Sequence, residues 1–213
     1  MLGKQVSRSL AILERPTMPM YHQGTRELQS RFGSVGLADR LLEKTHRTRF
    51  TEGDKEFIES CGFFFLATAD LDARPDCSFK GGPPGFVRVI APDLLVYPDY
   101  DGNGMFKSLG NIRANSHVGL LFIALSEKPK RLRVSGTAAL AFDDPLLAHY
   151  PGGQLLIRIT PTDIFPNCPR YIPQMQLVRA SQYLPEAGCA PIEPAWKDFP
   201  EFRDVVPTRK PTA

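Results

Sequence analysis

The fold of this chain is decided at residues 63–80, which read FFFLATA, DLDARP and DCSFK in succession. Phe63–Ala69 is aromatic and aliphatic, Asp70–Pro75 has the composition of a turn, and Asp76–Lys80 precedes a break of glycines and prolines at 81–85. Short apolar runs bounded by turn residues are typical of β-strands. The stretch therefore predicts a strand, a turn and a second strand.

Beyond this hairpin the same alternation of short runs and turns continues. We predict further strands at 86–90, 93–97, 118–125, 131–142 and 154–160, with helices at 105–115 and 143–149. Six or seven short strands with one or two small helices between them are typical of an antiparallel barrel. The predicted fold class is mainly β, a closed or nearly closed barrel with peripheral helices.

The segments on either side of the barrel are different. Apolar residues recur at helical spacing at 23–32 and 37–46, and Thr51 with Asp54 predicts the capped start of a third helix. Residues 1–20 are predicted as an arm. The Pro-rich end, from Leu184 on, is predicted to lack regular structure and to wrap the surface or a partner subunit. The predicted divisions are an arm with helices (1–50), a barrel (51–180) and a tail (181–213).

The composition is that of a globular protein with one sizeable core: 213 residues, 42% hydrophobic and 23% charged. The longest apolar runs are far shorter than a membrane span requires, and no secretory signal is expected. Four cysteines without a Cys-x-x-Cys pair, among four scattered histidines, disfavour zinc sites and disulfides. This cysteine usage favours a cytoplasmic protein.

Two classes of function are disfavoured. Residues 1–50 hold nine Lys and Arg against four Asp and Glu, but these charges are interleaved with apolar residues, as on a solvated helix face. Salt-sensitive nucleic-acid binding by the N-terminal helices is therefore an unfavoured alternative. The serine-hydrolase elbow, the Walker loop, the zinc-protease motif and the dinucleotide-binding glycine pattern are all missing. Hydrolases and P-loop enzymes are disfavoured as well.

Three segments together indicate a site for an anion. Ser78 and Lys80 share one strand face, and glycines that permit close backbone approach follow them. A glycine-rich loop at 101–104 opens a helix whose free amides and dipole favour an anion, beside Lys107 and Ser108. Arg131 and Arg133 share a face of a later strand. Each feature alone has an ordinary structural explanation, but a barrel would bring the strand ends and the helix start together.

The motifs also resemble one family. They are Phe64–Asp70, Arg74–Arg88, Tyr100–Gly104, Ser108–Ile112, Val118–Phe122, Leu132–Ala138 and Ile164–Ile172. Over roughly residues 21–180 the chain resembles the pyridoxamine 5'-phosphate oxidase-like FMN-binding proteins, most closely a flavin-nucleotide-binding subgroup. The resemblance implies a split-barrel homodimer with FMN at the subunit interface.

The resemblance also implies a set of cofactor-binding residues. In it, Ser78 and Lys80 contact the phosphate and ribityl chain, and Lys107 and Ser108 clamp the phosphate. The full set is Ser78, Lys80, Gly81, Tyr97, Pro98, Asn103, Lys107, Ser108, Asn111 and Arg131.

Tyr97 and Pro98 would lie along the flavin, and Arg131 would approach the isoalloxazine ring from the other subunit. The sequence departs from the oxidases in two ways. A serine stands where they have an arginine on the second strand, and their C-terminal arginine–histidine segment is not recognisable. The resemblance therefore supports FMN binding by this chain more than it supports oxidation of pyridoxamine phosphate.

The predicted function is that of an FMN-dependent oxidoreductase acting on a small molecule. A flavin carries out hydride or electron transfer itself, so such an enzyme needs no acid–base pair that a sequence would display. Two alternatives stay open: a non-catalytic flavin carrier or sensor, and a split barrel that uses haem or a deazaflavin.

Residues 167–170 are a candidate substrate site. Asn167 and Arg170, flanked by prolines, could form a rigid wall that holds an anionic substrate. Arg170 could equally pair with a carboxylate across the dimer. We expect Cys168 to be a small buried residue, since nothing in the sequence marks its thiol as activated.

Overall fold

The computed structural model describes residues 20–207, so nearly all of the predicted arm at 1–20 and the last six residues lie outside it. The four α-helices are α1 (Gln23–Arg31), α2 (Val35–Thr45), α3 (Glu52–Ser60) and α4 (Lys107–Ala114). The seven strands are β1 (Phe63–Ala69), β2 (Pro75–Gly81), β3 (Arg88–Ala91), β4 (Leu94–Tyr100), β5 (His117–Ala124), β6 (Lys130–Ala141) and β7 (Gly153–Pro166). Short 3-10 turns occupy Pro145–His149 and Ala195–Asp198.

The strands form one antiparallel sheet in the order β2-β1-β5-β6-β7-β4-β3. Its two edges, β2 and β3, are not hydrogen-bonded to each other, so the barrel is split rather than closed. The mainly β fold class is confirmed, in its nearly closed form. The charge of Lys80 on β2 nevertheless acts on the carboxyl of Asp99 on β4.

The predicted hairpin at residues 63–80 is confirmed. Inward-facing Phe64 and Leu66 of β1 are fully buried, and their cross-strand partners are Lys80 and Ser78 of β2. This register places the polar side chains of β2 on the core side of the sheet. The core itself is aromatic, since the ring of Phe64 packs edge-on against Tyr97 at 5.0 Å between centroids.

β7 is the element that differs most from the prediction. The sequence predicts a strand at 154–160, and the structure extends it to Pro166. Pro161 cannot donate to a ladder, but the register shifts opposite it, between Ser135 and Gly136. A Cβ at position 136 would lie 2.3 Å from the Thr160 carbonyl oxygen, so only glycine permits this close approach.

The chain divides into two compact units, one ending at Glu43 and the other beginning at Lys44. In the first unit Arg26 forms an ion pair with Asp39 at 2.6 Å, and the Tyr21 hydroxyl donates to the Ala38 carbonyl. In the second unit, α3 begins with the predicted capping box, in which Thr51 and Asp54 bond each other's backbone amides.

Among residues 20–207, no helix has the length and apolar character needed to cross a membrane. The tail is irregular in its described part apart from the 3-10 turn at Ala195–Asp198, as predicted. It contacts the barrel, because Lys197 lies 2.8 Å from Asp101 and a Cβ at Gly152 would approach Pro185 to 3.1 Å.

Candidate functional site

Two of the predicted site residues meet directly. The hydroxyl oxygens of Ser78 on β2 and Ser108 on α4 lie 2.7 Å apart. Along β2 the half-buried side chains of Asp76, Ser78 and Lys80 alternate with outward-facing exposed ones. The barrel therefore brings the second strand and the start of α4 together, as the sequence predicts.

The start of α4 has no side-chain cap. Its N-cap residue, Phe106, lies in the left-handed region at φ 48° and forms no capping hydrogen bond, and no acidic side chain lies in the first turn. The preceding loop is held instead by Asn103, whose side-chain oxygen accepts from the Met105 amide. The first amides of a helix have no partner within it, so those of α4 are available to an external acceptor. The exposed side chain of Lys107 lies at the same end.

Charges of both signs surround this hydroxyl pair. Ser78 also lies 3.4 Å from a carboxylate oxygen of Asp76. Lys107 helps to lower the pKa of Asp70, although the main cause is the hydrogen bond from the Arg74 backbone. An anion bound here would meet one lysine at the helix start and one carboxylate on the strand.

Asp99 on β4 is affected by charges of both signs. Burial is the main cause that raises the pKa of its carboxyl, and Asp101 adds to the effect. Lys80 on β2 opposes both by favouring the charged form.

Several predicted residues lie inside the core. Asn111 and Thr68 are both buried, and the Asn111 amide donates to the Thr68 hydroxyl at 3.0 Å, which ties α4 to β1. Tyr97 is 1% exposed, and its hydroxyl has no hydrogen-bond partner. Burial raises the pKa of this phenol. Pro98 is buried as well, but as the next residue of β4 it lies on the opposite face of the strand, and only Tyr97 belongs to the aromatic core.

The glycines after β2 make room for aromatic rings. A Cβ at Gly81 would lie 2.8 Å from the ring of Phe79, and one at Gly82 would lie 2.3 Å from the ring of Phe86. The sequence suggested that these glycines let the backbone approach a ligand. In the structure their close neighbours are side chains of the same chain.

Arg131 lies away from the hydroxyl pair. Its cross-strand partner is Ile123, and both side chains face outward, whereas Ser78 faces the core. The outward-facing side also carries a cluster of rings that sequence analysis did not single out. Phe79 is 63% exposed, stacks on Phe63 at 5.3 Å and meets Phe65 edge-on at 6.0 Å. The sequence could have indicated this cluster, since phenylalanine alternates with core residues along β1.

The segment 167–170 lies just after β7. Asn167 is half-buried and its side-chain oxygen has no hydrogen-bond partner, while Arg170 is exposed and lies over the Tyr171 ring. The prediction for Cys168 is wrong, because its side chain is exposed rather than buried. The strand ends at Pro166, and the chain leaves the sheet before the cysteine.

An open cavity of about 400 Å³ lies elsewhere, between the end of α4 and β6. None of the predicted site residues lines it. Its lining residues are Ile112, Arg113, Ser116, Ala138, Ala139, Leu140 and Phe142.

Comparison with known proteins adds one strong match. The sequence model described as pyridoxamine 5'-phosphate oxidase matches residues 50–168, more than half of the chain. None of the curated proteins compared matches the chain.

Several solved structures are similar at TM-scores below 0.5. A proposed pyridoxamine 5'-phosphate oxidase from Lactobacillus delbrueckii is 23% identical with a TM-score of 0.45, over 56% of this chain and 95% of that one. An FMN-binding protein from Syntrophomonas wolfei is 13% identical with a TM-score of 0.43, over 67% and 97%. A haem storage protein from Vibrio cholerae is 18% identical with a TM-score of 0.40, over 52% and 88%.

Proposed function

The chain belongs to the pyridoxamine 5'-phosphate oxidase family, and from this we propose that it is an FMN-binding homodimer that acts as an oxidoreductase on a small molecule. The observation that carries the proposal is the convergence of the Ser78 and Ser108 hydroxyls at the uncapped start of α4. Free helix amides, two hydroxyls and an adjacent ammonium form the donor set that suits a phosphate monoester.

The residues present fit FMN at its phosphate end. Ser78, Ser108 and Lys107 would hold the phosphate, and Lys80 stands two residues from Ser78 on the same face of β2. Asp76 opposes the fit, because its carboxylate lies 3.4 Å from the Ser78 hydroxyl. When bound, a flavin supplies hydride or electron transfer. The residues of this chain bind its phosphate, balance its charge and orient it.

The outward aromatic cluster supports the homodimer. Phe63, Phe65 and Phe79 form a contiguous apolar surface, and Leu121 lies opposite Phe65 on β5. Exposed apolar surfaces of this kind mark sites of association. Arg131 stands on the same outward side, so a second copy docked there would bring its own Arg131 toward the interface.

The substrate proposed for this enzyme is anionic and small. Arg170 is exposed after β7, and Asn167 beside it has an unpaired buried oxygen. A guanidinium recognises carboxylate or phosphate in a fixed planar geometry.

The first experiment is the visible absorption spectrum of the purified protein, with mass analysis of what denaturation releases. We expect a flavin spectrum and released FMN. A colourless protein that also fails to take up added FMN would overturn the proposal. A haem or deazaflavin spectrum would agree with the fold but would contradict FMN as the cofactor. Steady-state turnover with NAD(P)H and an acceptor would then distinguish an oxidoreductase from a carrier.

A further inference from the structure

The loop that opens α4 has little of its own to hold its shape. Residues 101–106 are all exposed, so apolar packing does not fix them. The backbone enters the left-handed region twice, at Gly104 (φ 75°) and at Phe106 (φ 48°). This region is unfavourable for a residue with a side chain, such as Phe106. Within the loop Asn103 accepts from the Met105 amide. A contact from outside the loop would add to the stability of this conformation.

The Pro-rich tail supplies such a contact. The Lys197 ammonium lies 2.8 Å from a carboxylate oxygen of Asp101, the first residue of the loop. Only 11% of the lysine side chain is exposed, and a carboxylate oxygen of Glu193 lies 2.8 Å from the same ammonium. Partly buried charges are screened by salt much less than exposed ones. We therefore expect this pair to hold more firmly than an ion pair between two exposed side chains.

A second contact fixes the tail to the same end of the sheet. Tyr100 of β4 pairs with Gly153 of β7, so Asp101 and Gly152 lie just beyond this pair on the two strands. A Cβ at Gly152 would lie 3.1 Å from the side chain of Pro185 in the tail. The tail therefore contacts this end of the β4–β7 pair at two separate points.

We propose that Lys197 is a positioning residue for the phosphate site: through Asp101 it holds the loop at 101–106 in the conformation that leaves the first amides of α4 open to a phosphate. The inference rests on the proposed function, which assigns the phosphate of FMN to this helix start. Lys197 acts through the loop and needs no contact with the cofactor. The tail then contributes to cofactor binding as well as covering the surface.

The sign of one substitution distinguishes positioning from simple electrostatics. Asp101→Asn removes a negative charge from the loop that opens α4, so electrostatics alone would make the binding of a phosphate dianion tighter. If Asp101 instead anchors the loop to Lys197, the same substitution makes the binding weaker. Lys197→Met removes the other partner of the pair and should cause a similar loss.

The first measurement is the FMN dissociation constant of the full chain, from quenching of flavin fluorescence. We expect Lys197→Met and Asp101→Asn each to raise it about fivefold. Lys197→Arg keeps the charge and should stay within about twofold of the original chain. Asp198→Asn is the matched control, because it makes the same chemical change as Asp101→Asn at an exposed residue of the neighbouring 3-10 turn. It should leave the dissociation constant unchanged.

The second measurement needs no cofactor. Hydrogen–deuterium exchange of the flavin-free protein is followed over residues 101–110, which comprise the loop and the first turn of α4. We expect this segment to exchange several-fold faster in Lys197→Met and in Asp101→Asn than in the original chain or in Asp198→Asn. Residues 51–60, at the capped start of α3 and along that helix, are the internal reference and should exchange at the same rate in all four proteins.

Two results would overturn the role of Lys197. One is an Asp101→Asn variant that binds FMN as tightly as the original chain or more tightly. The other is exchange over residues 101–110 that neither substitution alters. An original chain that takes up no FMN would contradict the proposed function and this role with it. If the original chain binds FMN and the variants bind it equally well, only the present inference fails.

Discussion

Ser78 and Lys80 show how two residues of one strand acquire different surroundings. Both face the core side of β2, but Ser78 meets a hydroxyl on α4, whereas the charge of Lys80 acts on the carboxyl of Asp99 on β4. The Ser78 hydroxyl lies 2.7 Å from the Ser108 hydroxyl and 3.4 Å from a carboxylate oxygen of Asp76. Lys107 is the cation best placed to meet an anion at the helix start.

Lys107→Ala is expected to weaken FMN binding by about 1.5–3 kcal/mol, because a charge-assisted bond to the phosphate is lost. The dissociation constant, measured by quenching of flavin fluorescence, should rise roughly 10- to 150-fold. Lys128→Ala, at an exposed lysine between β5 and β6, is the matched control and should leave it unchanged. An unaltered dissociation constant in Lys107→Ala would contradict the phosphate clamp.

Asp76→Asn tests the same site by removing a negative charge instead of a positive one. Its carboxylate lies 3.4 Å from the Ser78 hydroxyl and would repel a phosphate dianion there. We expect the neutral amide to tighten FMN binding several-fold in the same titration. Weaker binding would show that Asp76 supports the cofactor rather than opposing it.

At the scale of elements, the starts of α3 and α4 differ in one respect. α3 satisfies its first amides internally, with Thr51 and Asp54 bonding each other's backbone, and Arg47 holds the Asp54 carboxylate at 2.7 Å. α4 begins at a residue in the left-handed region and has no cap. One helix start is therefore structural, and the other is open to a ligand.

Thr51→Ala is expected to destabilise the fold by about 1 kcal/mol, since the Asp54 amide loses its acceptor at the helix start. The free energy of unfolding is obtained from urea denaturation. Glu56→Ala, on the exposed side of the same helix, should stay within about 0.5 kcal/mol of the original chain. FMN affinity should be the same in both variants. Equal stability of the two variants would mean that the capping box contributes nothing measurable.

At the scale of the whole molecule, the split sheet exposes an aromatic surface on one side and the candidate phosphate site on the other. Phe63, Phe65 and Phe79 contact one another, with Phe79 exposed and the other two half-buried. The outward-facing arginines of β6 stand on the same side. Arg131 and the Ser78 hydroxyl therefore lie on opposite sides of the sheet.

Phe79→Glu is expected to shift the protein toward the monomer, because a carboxylate would be buried against the rings of the second copy. The mass in solution, from light scattering during size-exclusion chromatography, measures this change. Leu71→Glu, at an exposed leucine in the β1–β2 turn, is the matched control and should leave the mass unaltered. A wild-type protein that is already monomeric, or a Phe79→Glu dimer as stable as the original, would contradict an interface on this surface.

The strands and helices could be predicted where their signal is local. The bounds of β1 at Phe63–Ala69 and the capping box at Thr51 agree with the structure, because short-range patterning and capping determine them. The extension of β7 past Pro161 was missed, because an extra residue in β7 shifts the register beside the proline, where Gly136 on β6 permits a close approach. The pattern within β7 does not contain the residue that lies opposite the proline.

The candidate site also has some features that the sequence predicted and others that it did not. The residue types and the loop that opens α4 indicated an anion site, since free helix amides and hydroxyls are local features. The burial of Asn111 and Tyr97, the exposure of Cys168 and the outward position of Arg131 were decided by which faces the sheet covers.

The sequence by itself determined the mainly β fold, the order of its elements and the chemical character of the candidate phosphate site. Only the tertiary structure decided which of these residues meet. It joined Ser78 to Ser108, placed Arg131 on the opposite side and left the side chain of Cys168 exposed. The physical reason is that propensity and capping act over a few residues. Side-chain pairing across a sheet depends instead on register and packing between segments that are distant in the chain.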